Sequence, residues 1–100
     1  MNIFSTEDRF GNKFVLNSER WNHIIERHPE IAVYLQKLSE AIQNPDCIIQ
    51  NGLDQEVHLY HKYYKEKEHY IVVVTVVPKQ FIVTAYTAIQ IKKGRILWHK

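Results

Sequence analysis

The sequence predicts an α+β fold in which N-terminal helices pack on a four- to five-stranded antiparallel sheet. Two observations predict it. The spacing of apolar residues is helical over residues 17–44 and becomes typical of strands from Cys47 onward. The chain has 100 residues, of which 45% are hydrophobic and 24% charged, which is globular composition with room for one domain over residues 1–100.

The first helix is expected to begin at Asn17 or Ser18, because short polar side chains accept hydrogen bonds from the free amides of a first turn. It should end near Arg27, since the residue before Pro29 avoids helical geometry. Proline fits a first turn, so a second helix can restart at Pro29 and run to residue 44. The apolar stripe of this second helix consists of Ile31, Leu35, Leu38 and Ile42.

The second half of the chain is expected to form the sheet. The predicted strands are residues 47–50, 56–64, 70–77, 81–89 and the short segment 96–98. Residues 70–77 are apolar on both faces, as in a central strand that is covered on two sides. Pro78 lies in a short hairpin connection to the next strand. Residues 14–16 could add an edge strand before the helices.

Composition excludes several classes of protein. Lys and Arg number 13 against 11 Asp and Glu, and a net charge of +2 does not by itself indicate nucleic-acid binding. The single cysteine, Cys47, excludes a disulfide framework, and three glycines exclude a Gly-rich phosphate loop. The longest apolar run, residues 71–77, is far shorter than the roughly 20 residues of a membrane span. Without an apolar signal segment either, we expect a soluble cytoplasmic protein.

Six histidines raise the question of a metal site. No pair has the i,i+4 helical spacing of a zinc motif. His58 and His61 are three apart on a predicted strand and therefore point to opposite faces, while His23 and His28 are five apart on a helix. A site assembled in three dimensions stays open, but we expect neither a metal nor a cofactor.

The segment Arg27-His28-Pro29-Glu30 is the first candidate for chemistry. A histidine at a helix end is half-buried and can exchange a proton near neutral pH, and the arginine beside it can hold an anion. The alternative is structural: His28 caps its own helix or satisfies a buried carbonyl, while Arg27 pairs with Glu26 or Glu30.

Thr84 and Tyr86 are the second candidate. Two residues apart on a strand, they share one face with Ile82 and could present two hydroxyl groups to a ligand between sheet and helix. Both residue types also favour strands, so the pair could equally be the rim of the sheet.

Basic and aromatic side chains alternate over residues 58–65, and a second basic cluster follows at residues 92–95. Alternation of this kind suits phosphates and base stacking. Lysines on an edge strand or in a solvated turn are the structural alternative.

These segments together resemble one known family. Glu19-Arg20-Trp21-x-His23-Ile24, Arg27-His28-Pro29-Glu30, Asn44-Pro45-Asp46, residues 81–86, Lys92-Lys93-Gly94 and Leu97-Trp98 are similar, in this order, to the phage-associated branch of the barnase–EndoU–colicin–RelE nuclease superfamily. The resemblance covers the chain from about Phe14 to Trp98.

This resemblance implies a metal-independent ribonuclease in which the ribose 2′-hydroxyl attacks its own phosphate. His28 would act as general base or acid and Arg27 as phosphate clamp, while Thr84 and Tyr86 orient the phosphate or donate a proton. Lys62 would supply a second cation, or His61 would if the strand register slips by one. The expected RNA-binding residues are Arg20, His23, Tyr60, His61 and Lys93.

The resemblance leaves three readings of the protein open. The first is an endoribonuclease, either a phage-associated nuclease or the toxin of a toxin–antitoxin pair with a cognate antitoxin protein as partner. The second is a non-catalytic RNA- or protein-binding module on the same fold, and the third an antitoxin-like or structural protein whose histidines only pack. RNA is favoured over DNA because the chemistry needs a 2′-hydroxyl. Exposed strand edges could also pair in a homodimer.

Overall fold

The computed structural model describes residues 1–100. Its elements are β1 (Asn2–Glu7), β2 (Lys13–Asn17), α1 (Ser18–Arg27), a 3-10 helix (Pro29–Tyr34), α2 (Leu35–Gln43), β3 (Cys47–Gln50), β4 (Val57–Tyr64), a 3-10 turn (Lys65–Lys67), β5 (His69–Val76), β6 (Phe81–Ala88) and β7 (Arg95–His99). The five strands predicted after the helices are confirmed, with ends that differ by at most one residue. Neither α-helix is long and apolar enough to cross a membrane.

All seven strands form one sheet in the order β1-β2-β6-β5-β4-β3-β7. The α+β class is confirmed, but the predictions of N-terminal helices and of only four or five strands are wrong. The pairs are antiparallel except that β2 runs parallel to β6. β1 escapes prediction because Ile3 and Phe4 are adjacent and a bulge follows Asn2, so the strand lacks a regular apolar alternation.

Helix α1 begins and ends where its sequence predicts. The Asn17 side chain accepts a hydrogen bond from the Arg20 amide at 2.8 Å, and the His28 amide donates to the Ile24 carbonyl at the other end. The second helix differs from the prediction, because Pro29 starts a 3-10 helix and regular α-helix begins only at Leu35.

The main hydrophobic core lies between the helices and one face of the sheet. Helix α2 contributes three buried residues, Leu38, Ala41 and Ile42, which pack in the same cluster as sheet residues such as Val73. Full burial of a Leu or Ile side chain stabilises a fold by about 1.5–3 kcal/mol. We call this face the helix side of the sheet.

A buried polar pair fixes the β1–β2 connection to the helix side. The Tyr60 hydroxyl donates a hydrogen bond to the Asp8 carboxylate. That carboxylate also accepts hydrogen bonds from the Phe10 and Asn12 amides, at 2.9 and 2.8 Å. Burial, followed by the Asp8 contact, raises the pKa of Tyr60. Tyr60 is therefore a structural hydrogen-bond donor.

A smaller core covers the opposite face. It contains Cys47, Ile49, Leu59 and Val72. Residues 89–94, which we call the crossover segment, join β6 to β7 and must pass β5, β4 and β3 to do so, because β6 and β7 are third and seventh in the sheet. We call this face the crossover side. Central strand β5 is buried on both faces as predicted, through Ile71, Val72 and Val73.

Candidate active site

The candidate site lies where helix α1 runs beside strand β6. β2 pairs with β6 only through Val15 and Phe81, so the rest of that edge of β6 has no strand neighbour. α1 packs there instead, and the Arg20 guanidinium donates to the Val83 carbonyl oxygen over 3.5 Å. Because strand carbonyl groups need partners, this contact joins the polar stripe of α1 to β6.

A cleft of about 310 Å³ opens between α1 and β6. Its lining residues are Arg20, His23, Ile24, Arg27, His28, Val83 and Thr84. A neighbouring hollow of about 220 Å³ shares Arg20 and His23. The cleft therefore combines two guanidinium groups with two imidazoles and has no carboxylate in its lining. Such a lining attracts anions and can transfer protons.

His28 projects into this cleft from the end of α1. Only its backbone amide caps the helix. Its side chain is 35% exposed, with Nδ1 3.8 Å from a carboxylate oxygen of Glu30. The imidazole ring lies 5.7 Å from the Tyr86 ring, measured between centroids, at an angle of 39°. The geometry thus differs from a purely structural histidine, because the ring faces an accessible cleft and a hydroxyl-bearing aromatic residue.

The Arg27 guanidinium is exposed and has no carboxylate partner. The ion pairs of the structure join His28 to Glu30, Lys37 to Glu40 and Lys100 to Asp46. The alternative in which Arg27 pairs with Glu26 or Glu30 is therefore not observed. An unpaired guanidinium at the mouth of a cleft can bind phosphate with two parallel hydrogen bonds.

A β-bulge sets which β6 side chains reach the cleft. Thr84 lies opposite Val74 on β5, whereas Ile82 lies opposite the adjacent Thr75, so Val83 is an extra residue. Thr84 lines the cleft, but Ile82 is buried in the helix-side core. The prediction that Ile82 shares a face with Thr84 is therefore wrong, because a bulge reverses the alternation at this position.

Tyr86 connects the cleft to the crossover segment. Burial raises the pKa of its hydroxyl, so the phenol stays protonated at neutral pH. The Lys92 ammonium lies 5.4 Å from the centroid of the Tyr86 ring. The sequence shows Lys92 only as part of a basic cluster. Its proximity to Tyr86 depends on the path of the crossover segment, which no local pattern reveals.

Lys62 is not part of this cleft, contrary to the prediction. It faces the helix side, opposite Ile71, and β5 separates its strand from β6. Lys62 instead lines a separate hollow of about 480 Å³ with Arg9, Asn44, Pro45, Trp98 and Lys100. We call this hollow the second basic cleft. In it the Arg9 guanidinium stacks 3.8 Å from the Trp98 ring.

The five residues predicted to bind RNA divide into two groups. Arg20 and His23 line the cleft, and Lys93 lines the hollow formed by the crossover segment. Tyr60 and His61 are fully buried, so their predicted contact with RNA is wrong for this structure. Alternating basic and aromatic residues suggest an exposed strand, but here the middle of β4, residues 59–61, is buried on both faces.

The structure contains no cluster of three or more His, Cys, Asp or Glu side chains that could hold a metal ion. His58 and His61 face opposite sides of β4, as their spacing predicts. The groups near the candidate cleft that can act on a substrate are imidazoles, guanidinium groups, hydroxyls and an ammonium group.

Fold and cleft together define a small α+β protein with a cationic cleft rich in histidine, the kind of site that suits a phosphodiester substrate. The family model for the phage-Barnase-EndoU-ColicinE5/D-RelE like nuclease2 family matches residues 4–98, and the chain belongs to this family. The resemblance noted in the sequence is thereby confirmed. Neither the curated proteins nor the solved structures gave a match.

Proposed function

We propose that the protein is a small endoribonuclease that cleaves RNA by acid–base catalysis with side chains of the α1–β6 cleft. The observation that carries this proposal is the convergence of His28, Arg27 and Thr84 on one cleft, with the Tyr86 ring beside His28. These residues come from opposite ends of the chain, yet together they supply a proton acceptor, an anion-binding cation and hydroxyl donors. Membership of a nuclease family supports the same conclusion.

The reaction needs no nucleophile from the protein. His28 accepts the proton of the ribose 2′-hydroxyl, and the 2′-oxygen attacks the adjacent phosphorus. The bond from phosphorus to the 5′-oxygen breaks, which leaves a 2′,3′-cyclic phosphate and a 5′-hydroxyl that has gained a proton. His23 and Tyr86 are the two side chains near His28 that can supply this proton.

The cations and hydroxyls stabilise the negative charge that develops on the phosphate. Arg27 binds two phosphate oxygens. Lys92 supplies the second cation, the role that the family resemblance implies for Lys62. The Tyr86 phenol is protonated and donates a hydrogen bond, as does the Thr84 hydroxyl. Donors placed before the reaction act without reorganising and account for a large share of such catalysis.

Incubation of the purified protein with RNA in excess EDTA tests the proposal. We expect cleavage to persist in the chelator and to leave cyclic-phosphate ends. A matched oligonucleotide with one 2′-deoxy sugar at the cleavage site should resist at that position, because it lacks the attacking group. Cleavage that requires added divalent metal, or that proceeds at the deoxy position, would contradict this mechanism.

Two substitutions complete the experiment. His28→Ala should cleave RNA at least about 10²-fold more slowly, whereas His99→Ala, at an exposed histidine on β7 outside the cleft, should cleave like the wild type. If no folded preparation cleaves RNA but the protein still binds it, the non-catalytic binding module becomes the better interpretation.

The proposal extends to a role as the toxin of a toxin–antitoxin pair. A free endoribonuclease with this cleft should arrest growth when it is expressed, and a cognate antitoxin should cover the cationic cleft and relieve the arrest. Expression of the wild type beside His28→Ala, with and without the neighbouring gene product, tests this role. Harmless expression of an RNA-cleaving wild type would oppose it.

A further inference from the structure

The fully buried histidine on the crossover side, His61, has no part in the mechanism above. Its side chain lies on β4 between Cys47 of β3 and Val72 of β5, and its ring centroid is 6.0 Å from that of Tyr70. It is 0% exposed. A buried imidazole needs partners for both ring nitrogens, because an unsatisfied polar group is costly.

Both nitrogens of His61 have such partners. Nδ1 is 3.1 Å from the Leu59 carbonyl oxygen, and Nε2 accepts a hydrogen bond from the Lys92 amide at 3.0 Å. A backbone amide can only donate and a carbonyl can only accept. The contacts therefore require a neutral imidazole with its proton on Nδ1 and a lone pair on Nε2.

The Lys92 amide is also the only hydrogen-bonding group that holds the crossover segment. Residues 89–94 make no backbone–backbone hydrogen bond, and no other side-chain hydrogen bond reaches them. Most of their side chains are exposed, including Ile89 at 82%. The C-terminal end of the segment packs closely against β3. Gly94 lies so near this strand that a Cβ at its position would be 2.3 Å from the Gln50 carbonyl oxygen.

The residue whose amide is held, Lys92, also carries the ammonium group that reaches Tyr86, at 5.4 Å from the ring centroid. We propose that His61 is a positioning residue for the candidate active site: it holds the crossover segment through the Lys92 amide and so keeps the Lys92 ammonium beside Tyr86. This assignment rests on the proposed ribonuclease function, but its structural half is measurable in a protein without substrate.

Protonation of His61 opposes this arrangement, because a second proton on Nε2 would point at the Lys92 amide hydrogen. Burial lowers the pKa of His61, and the Lys92 ammonium lowers it further against the effect of the Leu59 carbonyl. The other titratable groups around the ring are Tyr70 on β5 and Cys47 on β3. Burial raises the pKa of both Tyr70 and Cys47, so neither carries a charge at neutral pH that would favour an imidazolium.

Two variants separate the hydrogen bond from the packing. His61→Leu fills the site but offers no acceptor, whereas His61→Gln offers an amide oxygen near the position of Nε2. In the wild type, imidazole ¹⁵N shifts should report the Nδ1-protonated tautomer. We expect the Lys92 amide to exchange with solvent at least about tenfold faster in His61→Leu, and near the wild-type rate in His61→Gln.

The effect of His61 on catalysis is measured by a double-mutant cycle with Lys92→Ala. This second substitution keeps the backbone amide of residue 92 and removes only the ammonium group. We expect kcat/KM for RNA to fall about tenfold in His61→Leu and to recover in His61→Gln. In the Lys92→Ala background His61→Leu should have little further effect, because His61 acts through Lys92.

The results distinguish the two proposals from each other. If the wild type does not cleave RNA, the ribonuclease function fails, whatever the Lys92 amide does. If the wild type cleaves but the Lys92 amide exchanges equally fast in wild type and His61→Leu, the positioning role is overturned. Additive losses in the double-mutant cycle overturn it as well. If His61→Leu does not fold, the positioning role is tested by the imidazole tautomer of the wild type and by the exchange rate of the Lys92 amide in His61→Gln.

Discussion

The protein has two basic clefts, and they differ in chemistry more than in charge. The α1–β6 cleft holds Arg20 and Arg27 together with His23, His28 and the Thr84 hydroxyl. The second basic cleft, on the helix side, holds Arg9, Lys62 and Lys100 around Trp98. Both attract anions. Only the α1–β6 cleft adds imidazoles beside a protonated phenol.

The comparison shows that positive charge is enough to bind a phosphate but not to catalyse its cleavage. Cleavage also requires a group that accepts a proton and donors aimed at the charge that develops. In the second basic cleft Lys100 is close to Asp46, Arg9 lies over the Trp98 indole ring, and no histidine lines the cleft. Substitutions in the two clefts should therefore have unequal effects.

The largest expected effect is that of His28→Ala. Removal of a positioned acid–base group lowers kcat by about 10²- to 10⁴-fold. Added imidazole should restore part of the activity, because a small base can occupy the vacated space. Single-turnover cleavage of a defined oligonucleotide measures both. If His28→Ala keeps a nearly wild-type kcat, the imidazole of His28 does not take part in catalysis, and the proposed chemical difference between the two clefts is wrong.

A matched pair of charge removals comes next. Arg27→Gln should lower kcat/KM by about 10²-fold, because it removes a donor from the developing charge on phosphate. Lys62→Gln removes one positive charge as well, but it should change kcat/KM less than about threefold, the effect of a remote surface charge. Steady-state kinetics at two salt concentrations compares them. Equal losses would mean that substrate spans both clefts.

Tyr60→Phe should affect stability without affecting the cleft. It leaves the buried Asp8 carboxylate without its side-chain hydroxyl donor, at a cost of about 1–3 kcal/mol in the free energy of unfolding. Urea denaturation measures this loss. The folded fraction should cleave RNA at the wild-type rate. A slower rate would show that the Tyr60–Asp8 hydrogen bond affects the geometry of the α1–β6 cleft.

The smallest expected effect is a pH dependence of stability from two histidines of β4, one on each face of the sheet. Burial lowers the pKa of both His58 and His61, so the folded state binds fewer protons than the unfolded one. Stability is then fully present above the unfolded value of about 6.5 and is lost as pH falls below it. The slope is at most about 1.4 kcal/mol per pH unit for each proton. His61→Gln should flatten it, and an unchanged slope would exclude His61 as a source.

Much of the fold could be predicted because it depends on local patterns. The Asn17 cap, the stop before Pro29 and the strand ends after Cys47 all follow from a few neighbouring residues. The β1 strand could not be predicted, because its apolar residues do not alternate. The parallel contact of Val15 with Phe81 joins residues far apart in sequence, and no short window contains that information.

The candidate site shows the same division. Residue type and spacing make His28, Arg27 and Thr84 candidates, the family resemblance gives them roles at one site, and the fold places all three at one cleft. Lys62 does not reach this cleft, because β5 lies between its strand, β4, and β6, and this strand order depends on contacts that a local pattern does not contain. Lys92 could not be assigned, because its position depends on the path that the crossover segment takes after it leaves β6, which brings the Lys92 amide to His61 on β4.

The single-residue contact between β2 and β6 also has a consequence for how the molecule folds. Strands β3, β4, β5 and β6 are neighbours both in sequence and in the sheet, so their contacts are local and form quickly. The cleft instead joins α1 to β6 across more than half of the chain, and closing so long a loop has a large entropic cost. We therefore expect the pairing of α1 with β6 to be a late folding step, after the sheet that receives it has formed.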